Sequence, residues 1–288
     1  MLTVEEIRRV RLHEPGRIAR ALAERPQGRL PEPGTKLMVI AADHPARGSL
    51  AAGTSAMAMG DRRELLRRCA AALARPGVHG FLGTADVVED LTLMGALDGK
   101  LVYGSMNRGG LRGSRFEMDD RFTGYTARAV AASGLDGGKV LMRVDLEDPG
   151  SLRTVESTAR AVDELAAARR TAIVEPFLSR RVDGRAVNVL TTEAVVTSVA
   201  IAAGLGSTSA HTWLKLPLVP DMEAVAAAST LPALILGGEV SEDAAATAAG
   251  WAQALRLPGI EGLVIGRALL YPHDDDVEGA VDRAVALL

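Results

Sequence analysis

Lysine is scarce in this chain: of 33 Lys and Arg residues only four are lysines, at positions 36, 100, 139 and 215. Cysteine is scarcer. Cys69 stands alone among 288 residues, which excludes an intrachain disulfide framework and fits a reducing cytoplasm. Aromatic residues make up 3%, so the core must be assembled from Ala, Val, Leu and Ile, a supply that suits sheets covered by helices. No apolar run reaches the roughly 18 residues of a membrane span, and the first residues show no signal-peptide h-region. A cytoplasmic protein with no membrane partner is expected. The formal net charge of −3 offers no basic excess, so nucleic acid is not an expected partner either.

What is present is an alternation. Apolar runs of strand length fall at 37–42, 78–83, 101–106, 140–146, 171–177, 211–216, 232–237 and 260–265. Each is nearly continuous in Val, Ile and Leu, as parallel strands buried on both faces are. Helical patterns lie between them, at about 55–75, 86–98, 118–134, 151–170, 191–205, 221–229, 241–256 and 275–287, with a leading helix over 3–25. Eight strand–helix units predict an α/β fold, a (β/α)8 TIM barrel with an additional N-terminal helix. The alternative is an open doubly wound sheet. It lacks support, because Ala42-Asp43-His44-Pro45 follows the first strand where a dinucleotide fold has G-x-G-x-x-G. No linker or composition shift divides the chain, so 1–288 reads as one barrel domain with 1–35 as a helical extension.

Active sites of this fold gather at the C-terminal ends of the strands. Lys36, Lys100 and Lys139 precede their apolar runs and are expected at the opposite face. Lys215, in Trp213-Leu214-Lys215-Leu216-Pro217, sits inside its run near the C-terminal end. Period-two alternation turns Leu141, Arg143 and Asp145 inward on strand four, Glu175 on strand five, and Trp213 and Lys215 on strand six. With Asp43 at the end of strand one, the mouth collects one amine, one guanidinium and three carboxylates. Burial and a neighbouring Arg depress a lysine pKa from about 10.4 towards neutrality, which makes the amine a nucleophile for Schiff-base chemistry. Glu175, Asp43 and Asp145 are the candidate acids and bases. The competing reading is a structural ion-pair network centred on Arg143. Trp213 serves packing or substrate contact; His44 lines the site or caps the turn before Pro45; His211 is structural.

Strand seven ends in Gly237-Gly238-Glu239, with Ser241 an expected N-cap, and strand eight ends in Gly266-Arg267. Loops after these two strands are the usual phosphate site of a barrel, so Gly237, Gly238, Gly266 and Arg267 are expected to hold phosphate. The loop Asn107-Arg108-Gly109-Gly110-Leu111-Arg112-Gly113-Ser114-Arg115 reads as a lid that recognises a second anionic or hydroxylated part of the substrate, or as a solvated loop. The five histidines show no H-x-H or H-E-x-x-H, and His273-Asp274-Asp275-Asp276 reads as a helix cap, so no metal site is expected.

These residues resemble a known group. Ala42-Asp43-His44-Pro45, Lys215, Gly237-Gly238 and Gly266-Arg267 look like the archaeal-type class I fructose-bisphosphate aldolase superfamily, which includes the deoxyribose-phosphate aldolase-like barrels. The resemblance spans roughly 36–270. It implies a Schiff-base aldolase with Lys215 as nucleophile, Asp43 assisting proton transfer, the glycine loops on phosphate, and no cofactor beyond the lysine itself. That group carries a Tyr before the Pro at the end of strand five, where this chain has Glu175 before Pro176. Closer similarity lies with an uncharacterised aldolase-like (β/α)8 family whose members often accompany inositol-catabolism enzymes. It rests on Asn107-Arg108-Gly109-Gly110, Asp119-Asp120-Arg121-Phe122-Thr123-Gly124, Val174-Glu175-Pro176-Phe177 and Thr212-Trp213-Leu214-Lys215-Leu216-Pro217. The implied reaction is C–C cleavage or formation in a phosphorylated keto-sugar or keto-deoxy sugar acid. The alternatives are a non-catalytic sugar-phosphate-binding barrel and a metal-free isomerase. A homo-oligomer is expected, its order left open by the sequence.

Overall fold

Leu37–Ala41 is buried along its whole length and forms β1. A strand apolar on both faces must be covered on both, inside by the other strands of a barrel and outside by helices. The computed structural model describes every residue except Met1, Glu239, Ser241 and Glu242. It shows β2 at Gly80–Gly83, β3 at Leu101–Ser105, β4 at Gly137–Val144 and β5 at Thr171–Val182. After β6 at Arg185–Asn188 come β7 at Thr212–Leu216, β8 at Ala233–Leu236 and β9 at Ile260–Ile265. Eight of these pair in parallel, in the order β1-β2-β3-β4-β5-β7-β8-β9, and β9 pairs with β1 to close a (β/α)8 barrel. The ninth, β6, folds back antiparallel on the protruding end of β5.

The early helices are α1 (Val4–His13), α2 (Gly16–Glu24), α3 (Arg62–Leu73), α4 (Ala85–Leu93), α5 (Ala127–Ala132) and α6 (Ser151–Ala167). The later ones are α7 (Thr192–Ala203), α8 (Met222–Ala227), α9 (Ala244–Ala254), α10 (Arg267–Leu270) and α11 (Val277–Val285). Alternation along each strand makes two cores. Leu37, Val39, Leu82, Tyr103, Ile173, Leu234 and Val264 fill the barrel, while Met38, Ile40, Val140, Met142, Val174 and Leu214 face the helices.

Four expectations need correction. The leading helix is two, because Pro15 cannot donate a backbone hydrogen bond and pushes Glu14 out of the helical region (φ −135°, ψ 47°). The helix expected over 118–134 shrinks to α5, since Asn107 and the Gly109 and Gly110 amides bond the Asp120 carboxylate and hold that stretch as a loop. The α9 cap is Asp243, whose side chain accepts from the Ala246 amide; the expected cap Ser241 lies outside the described residues. Finally, β4 starts at Gly137, three residues earlier than its apolar run suggests. A Gly137 Cβ would stand 2.3 Å from the Thr171 carbonyl and a Gly138 Cβ 2.4 Å from the Met106 sulfur, so this glycine pair is close-packed strand and not a turn.

At the N-terminal end of the barrel, Arg25 is 4% exposed and ties the extension to the strands. Its guanidinium donates to the carbonyls of Leu97 (3.1 Å), Lys100 (2.8 Å) and Gly134 (3.3 Å). Replacement by Met strands these buried acceptors, at about 1 kcal/mol or more each. Arg25→Met is expected to lose about 2–4 kcal/mol of stability in urea unfolding; a loss under about 0.5 kcal/mol would contradict the anchoring role.

Candidate active site

On β7 the outward residues Leu214 and Leu216 pack into the helix-facing core, which turns Lys215 inward. The β5–β7 register pairs Ile173 with Trp213 and Val174 with Leu214, so the next residues, Glu175 and Lys215, stand side by side. The Lys215 Nζ donates to Glu175 Oε1 at 3.0 Å, and the two residues are 4% and 7% exposed. Strand alternation and register alone thus produce a buried amine–carboxylate contact.

The carboxylate has a second partner. Lys139, expected at the opposite face, lies in the site: its Nζ is 2.6 Å from Glu175 Oε2 and 2.9 Å from Asp43 Oδ2. The early start of β4 moves it. Lys139 pairs with Ser105 at the C-terminal end of β3 and with Ile173 on β5, so it is an inward mid-strand residue and not a strand-preceding one. Lys36 and Lys100 do lie at the far end, donating to the Ile260 and Val78 carbonyls.

Two buried lysines therefore share the mouth, and their surroundings separate them. Burial acts to lower both. For Lys139 the Asp43 and Glu175 charges outweigh burial and raise the pKa, holding the ammonium form. For Lys215 burial wins: among the described residues Glu175 alone bonds it, and the Lys139 charge adds to the lowering against the pull of Glu175 and Asp43. Of the two amines, Lys215 is the one whose surroundings disfavour the charged form. Burial alone would raise Glu175, but Lys139 and Lys215 outweigh it and bring the pKa to about 2. Asp43 is likewise pushed well below the carboxylate range, chiefly by Lys139 against its own burial. His44 opens a 3-10 helix, His44–Arg47, with its Nδ1 3.6 Å from Asp43 Oδ1, too far for a hydrogen bond. Burial, then the charges of Arg267, Lys215 and Lys139, lower its pKa to about 3 against the pull of Asp43, so the imidazole is neutral.

The other expected site residues are spread around this centre. Arg143 pairs with neither Asp145 nor Glu175: its guanidinium meets the buried Glu117 carboxylate at 2.5 Å and the Gly109 carbonyl. Asp145 sits in the turn after β4, accepting from the Glu147 amide, and among the described residues no bond joins it to either lysine. Asn107 is bonded on both sides of its amide, to Asp120 and to the backbone of Leu141, so it staples β3 to β4. Arg108 reaches Thr123 Oγ1 and the Ala46 carbonyl. Trp213 packs with the apolar barrel filling, one inward position below Lys215. Gly237 and Gly266 are close-packed: a Cβ would stand 2.5 Å from Ile265 and from the Ala41 carbonyl respectively. Gly238 adopts φ +66°, which favours glycine. Arg267 opens α10 beside them, and its charge is felt at His44.

A buried carboxylate, Glu175, thus stands between two buried lysines at the C-terminal mouth of a parallel barrel. The Cgl0159-like family model matches residues 35–285. The chain belongs to the Cgl0159-like family. It is 53% identical to Cgl0159 from Corynebacterium glutamicum, over 98% of this chain and 95% of that one, with a TM-score of 0.95. An archaeal fructose 1,6-bisphosphate aldolase superposes at a TM-score of 0.64 with 15% identity, over 94% and 98% of the two chains. A Schiff-base-forming fructose-1,6-bisphosphate aldolase gives 0.63 with 16% identity, over 93% and 98%. At these identities the aldolases share the fold alone. No curated protein matches the chain.

In this Cgl0159-like chain the 107–115 loop is built on left-handed glycines. Gly110 has φ +72°, and a Cβ there would stand 2.0 Å from the Glu117 carbonyl; Gly113 has φ +79° with nothing within 4 Å. Gly113→Ala is therefore expected to cost about 1 kcal/mol, the left-handed strain alone, and Gly110→Ala clearly more. Thermal unfolding of the two variants checks the ranking, and equal losses would contradict it.

Proposed function

We propose that the protein is a class I aldolase that cleaves or forms a C–C bond in a phosphorylated keto-sugar or keto-deoxy sugar acid through a Schiff base on Lys215. The observation that carries this reading is the asymmetry of the two lysines. One carboxylate contacts Lys215 at 3.0 Å, whereas two carboxylates, at 2.6 and 2.9 Å, hold Lys139 as a cation. The aldolase-like fold of the neighbours supports the same chemistry, and similarity to a family that accompanies inositol-catabolism enzymes favours the sugar-acid class. The phosphate would sit on the Gly237, Gly238, Gly266 and Arg267 loops.

The neutral Lys215 amine adds to the ketone carbon, and its proton passes to the oxygen to give a carbinolamine. Glu175, within reach of both amines, relays the proton on which the hydroxyl leaves as water. A protonated imine results. Loss of the proton from the hydroxyl on the carbon beyond the adjacent one breaks the bond between those two carbons. The bonding pair flows into the imine to give an enamine, and the aldehyde half departs. A proton then returns to the enamine carbon, water adds to the imine, and the ketone half leaves Lys215 free. Lys139 keeps Asp43 and Glu175 ionised in the resting site, which preserves their capacity to accept these protons.

An enamine must exchange a carbon-bound hydrogen with solvent even without an aldehyde. Proton NMR of dihydroxyacetone phosphate in deuterium oxide is expected to show loss of one hydrogen next to the ketone with the native protein and none with Lys215→Ala. Equal exchange by both proteins would contradict the reading.

A further inference from the structure

Arg47 ends the 3-10 helix after Asp43 and points no sequence motif to itself. Its backbone is fixed by the lid: the Arg112 amide donates to the Arg47 carbonyl at 2.9 Å, the Arg112 guanidinium to Ser49 Oγ at 3.2 Å, and that of Arg108 to the Ala46 carbonyl at 3.3 Å. Arg108 and Arg112, two of the three arginines of this loop, therefore bind protein. The Arg47 guanidinium does not: among the described residues it has no hydrogen bond or ion pair, and its Nε is buried. Arg143 beside it also has a buried Nε without a partner, and its Nη2 is taken by Glu117 and Gly109. Arg47 ends the 3-10 helix that Asp43 caps, and the charges that act on it are those of the site: burial and Arg143 lower its pKa, while Glu175, Asp43 and Glu117 oppose them.

Of these two guanidiniums Arg143 has a carboxylate, Glu117, and among the described residues Arg47 has none. Burying a cation without a partner is costly, and an incoming anion removes that cost. The donors that remain are the forked N–H groups of guanidinium, which match the two oxygens of a carboxylate. The Gly109 and Gly110 amides, which would help to cradle a phosphate, already bond the Asp120 carboxylate. We propose that Arg47, with Arg143 beside it, binds a carboxylate of the substrate, and that this carboxylate belongs to the aldehyde half made or consumed, which is then an oxo acid. This rests on the aldolase reading and selects the keto-sugar acid over the neutral keto-sugar.

The test is condensation of dihydroxyacetone phosphate with three kinds of acceptor: ω-oxo acids of two to four carbons, glyceraldehyde, and glyceraldehyde 3-phosphate. The native protein is expected to favour an oxo acid over glyceraldehyde at least tenfold in kcat/KM. Arg47→Met is expected to reduce that ratio at least tenfold, mainly through KM for the oxo acid, and Arg47→Lys to restore part of it. An unchanged ratio in Arg47→Met overturns the proposal, as does preference for glyceraldehyde 3-phosphate. Calorimetric titration with succinate reads the anchor without any chemistry, with Arg47→Met expected to bind at least tenfold more weakly. If no acceptor condenses but succinate binding depends on Arg47, the aldolase reading fails and the anchor stands. If succinate binding ignores Arg47, the anchor fails whatever the chemistry.

Discussion

Lys215→Met should abolish turnover, by at least about 10⁴-fold, while leaving the protein about as stable as before. A thioether cannot add to a ketone, so no covalent route remains. Stability should survive because Lys215 contributes little to it as a cation. Its pKa is lowered in the folded state, chiefly by burial, so the fold disfavours the charged amine. Met fills a similar volume, and the Glu175 carboxylate keeps its 2.6 Å contact with Lys139. The net change is expected within about 1 kcal/mol of zero, the value of one hydrogen bond. Steady-state assay and urea unfolding of the same sample check both halves. Residual turnover above about one part in a hundred, or a loss of several kcal/mol, would contradict the role.

Lys139→Met should do the opposite to stability and also slow the chemistry. It leaves Asp43 without its lysine partner and Glu175 with Lys215 alone, and breaking a buried ion pair from one side costs about 3–5 kcal/mol. The loss should depend on pH. The Lys139 pKa is raised above the ordinary lysine value of 10.5, so its contribution is fully present below that pH and fades as pH rises through the folded pKa. The carboxylate pKa values are lowered from 3.8 for Asp43 and 4.5 for Glu175, so the contribution also fades as pH falls below about 4. The difference between native and variant should therefore peak at neutral pH. Lys215 would inherit both carboxylates and lose the repulsion of Lys139, which raises its pKa. The acid limb of the rate profile should then move to higher pH, and the rate at pH 7 should fall by about 10²-fold or more. Adding Glu175→Gln to Lys139→Met should recover part of the stability and none of the rate. A pH-independent loss, or an unmoved acid limb, would contradict the charge argument.

The barrel and the Lys215–Glu175 contact were legible because both depend on periodicity, which one sequence displays in full. Lys215 stood inside an apolar run, and counting in twos from Glu175 put the two side chains on one face. Lys139 was hidden by its glycines. Gly137-Gly138 looks like a turn, and only the Thr171 carbonyl and Met106, distant in sequence, make it strand. Glu117 and Arg47 were hidden for a different reason: one lies in a turn and the other in a single 3-10 turn, where no long period governs direction and the partner is chosen by tertiary contact. Asn107 and Arg108 belong to the same loop, and their contacts, to Asp120 and Leu141 and to Thr123 and the Ala46 carbonyl, follow no period either. Asp145 followed the alternation correctly and still missed the lysines, because β4 ends at Val144 and the chain turns away there.

The central claim is that one of two neighbouring buried lysines is the nucleophile. Borohydride reduction in the presence of dihydroxyacetone phosphate, followed by peptide mass spectrometry, reads it directly. The account predicts a stable adduct on Lys215 and none on Lys139. An adduct on Lys139, or none on either, would contradict it.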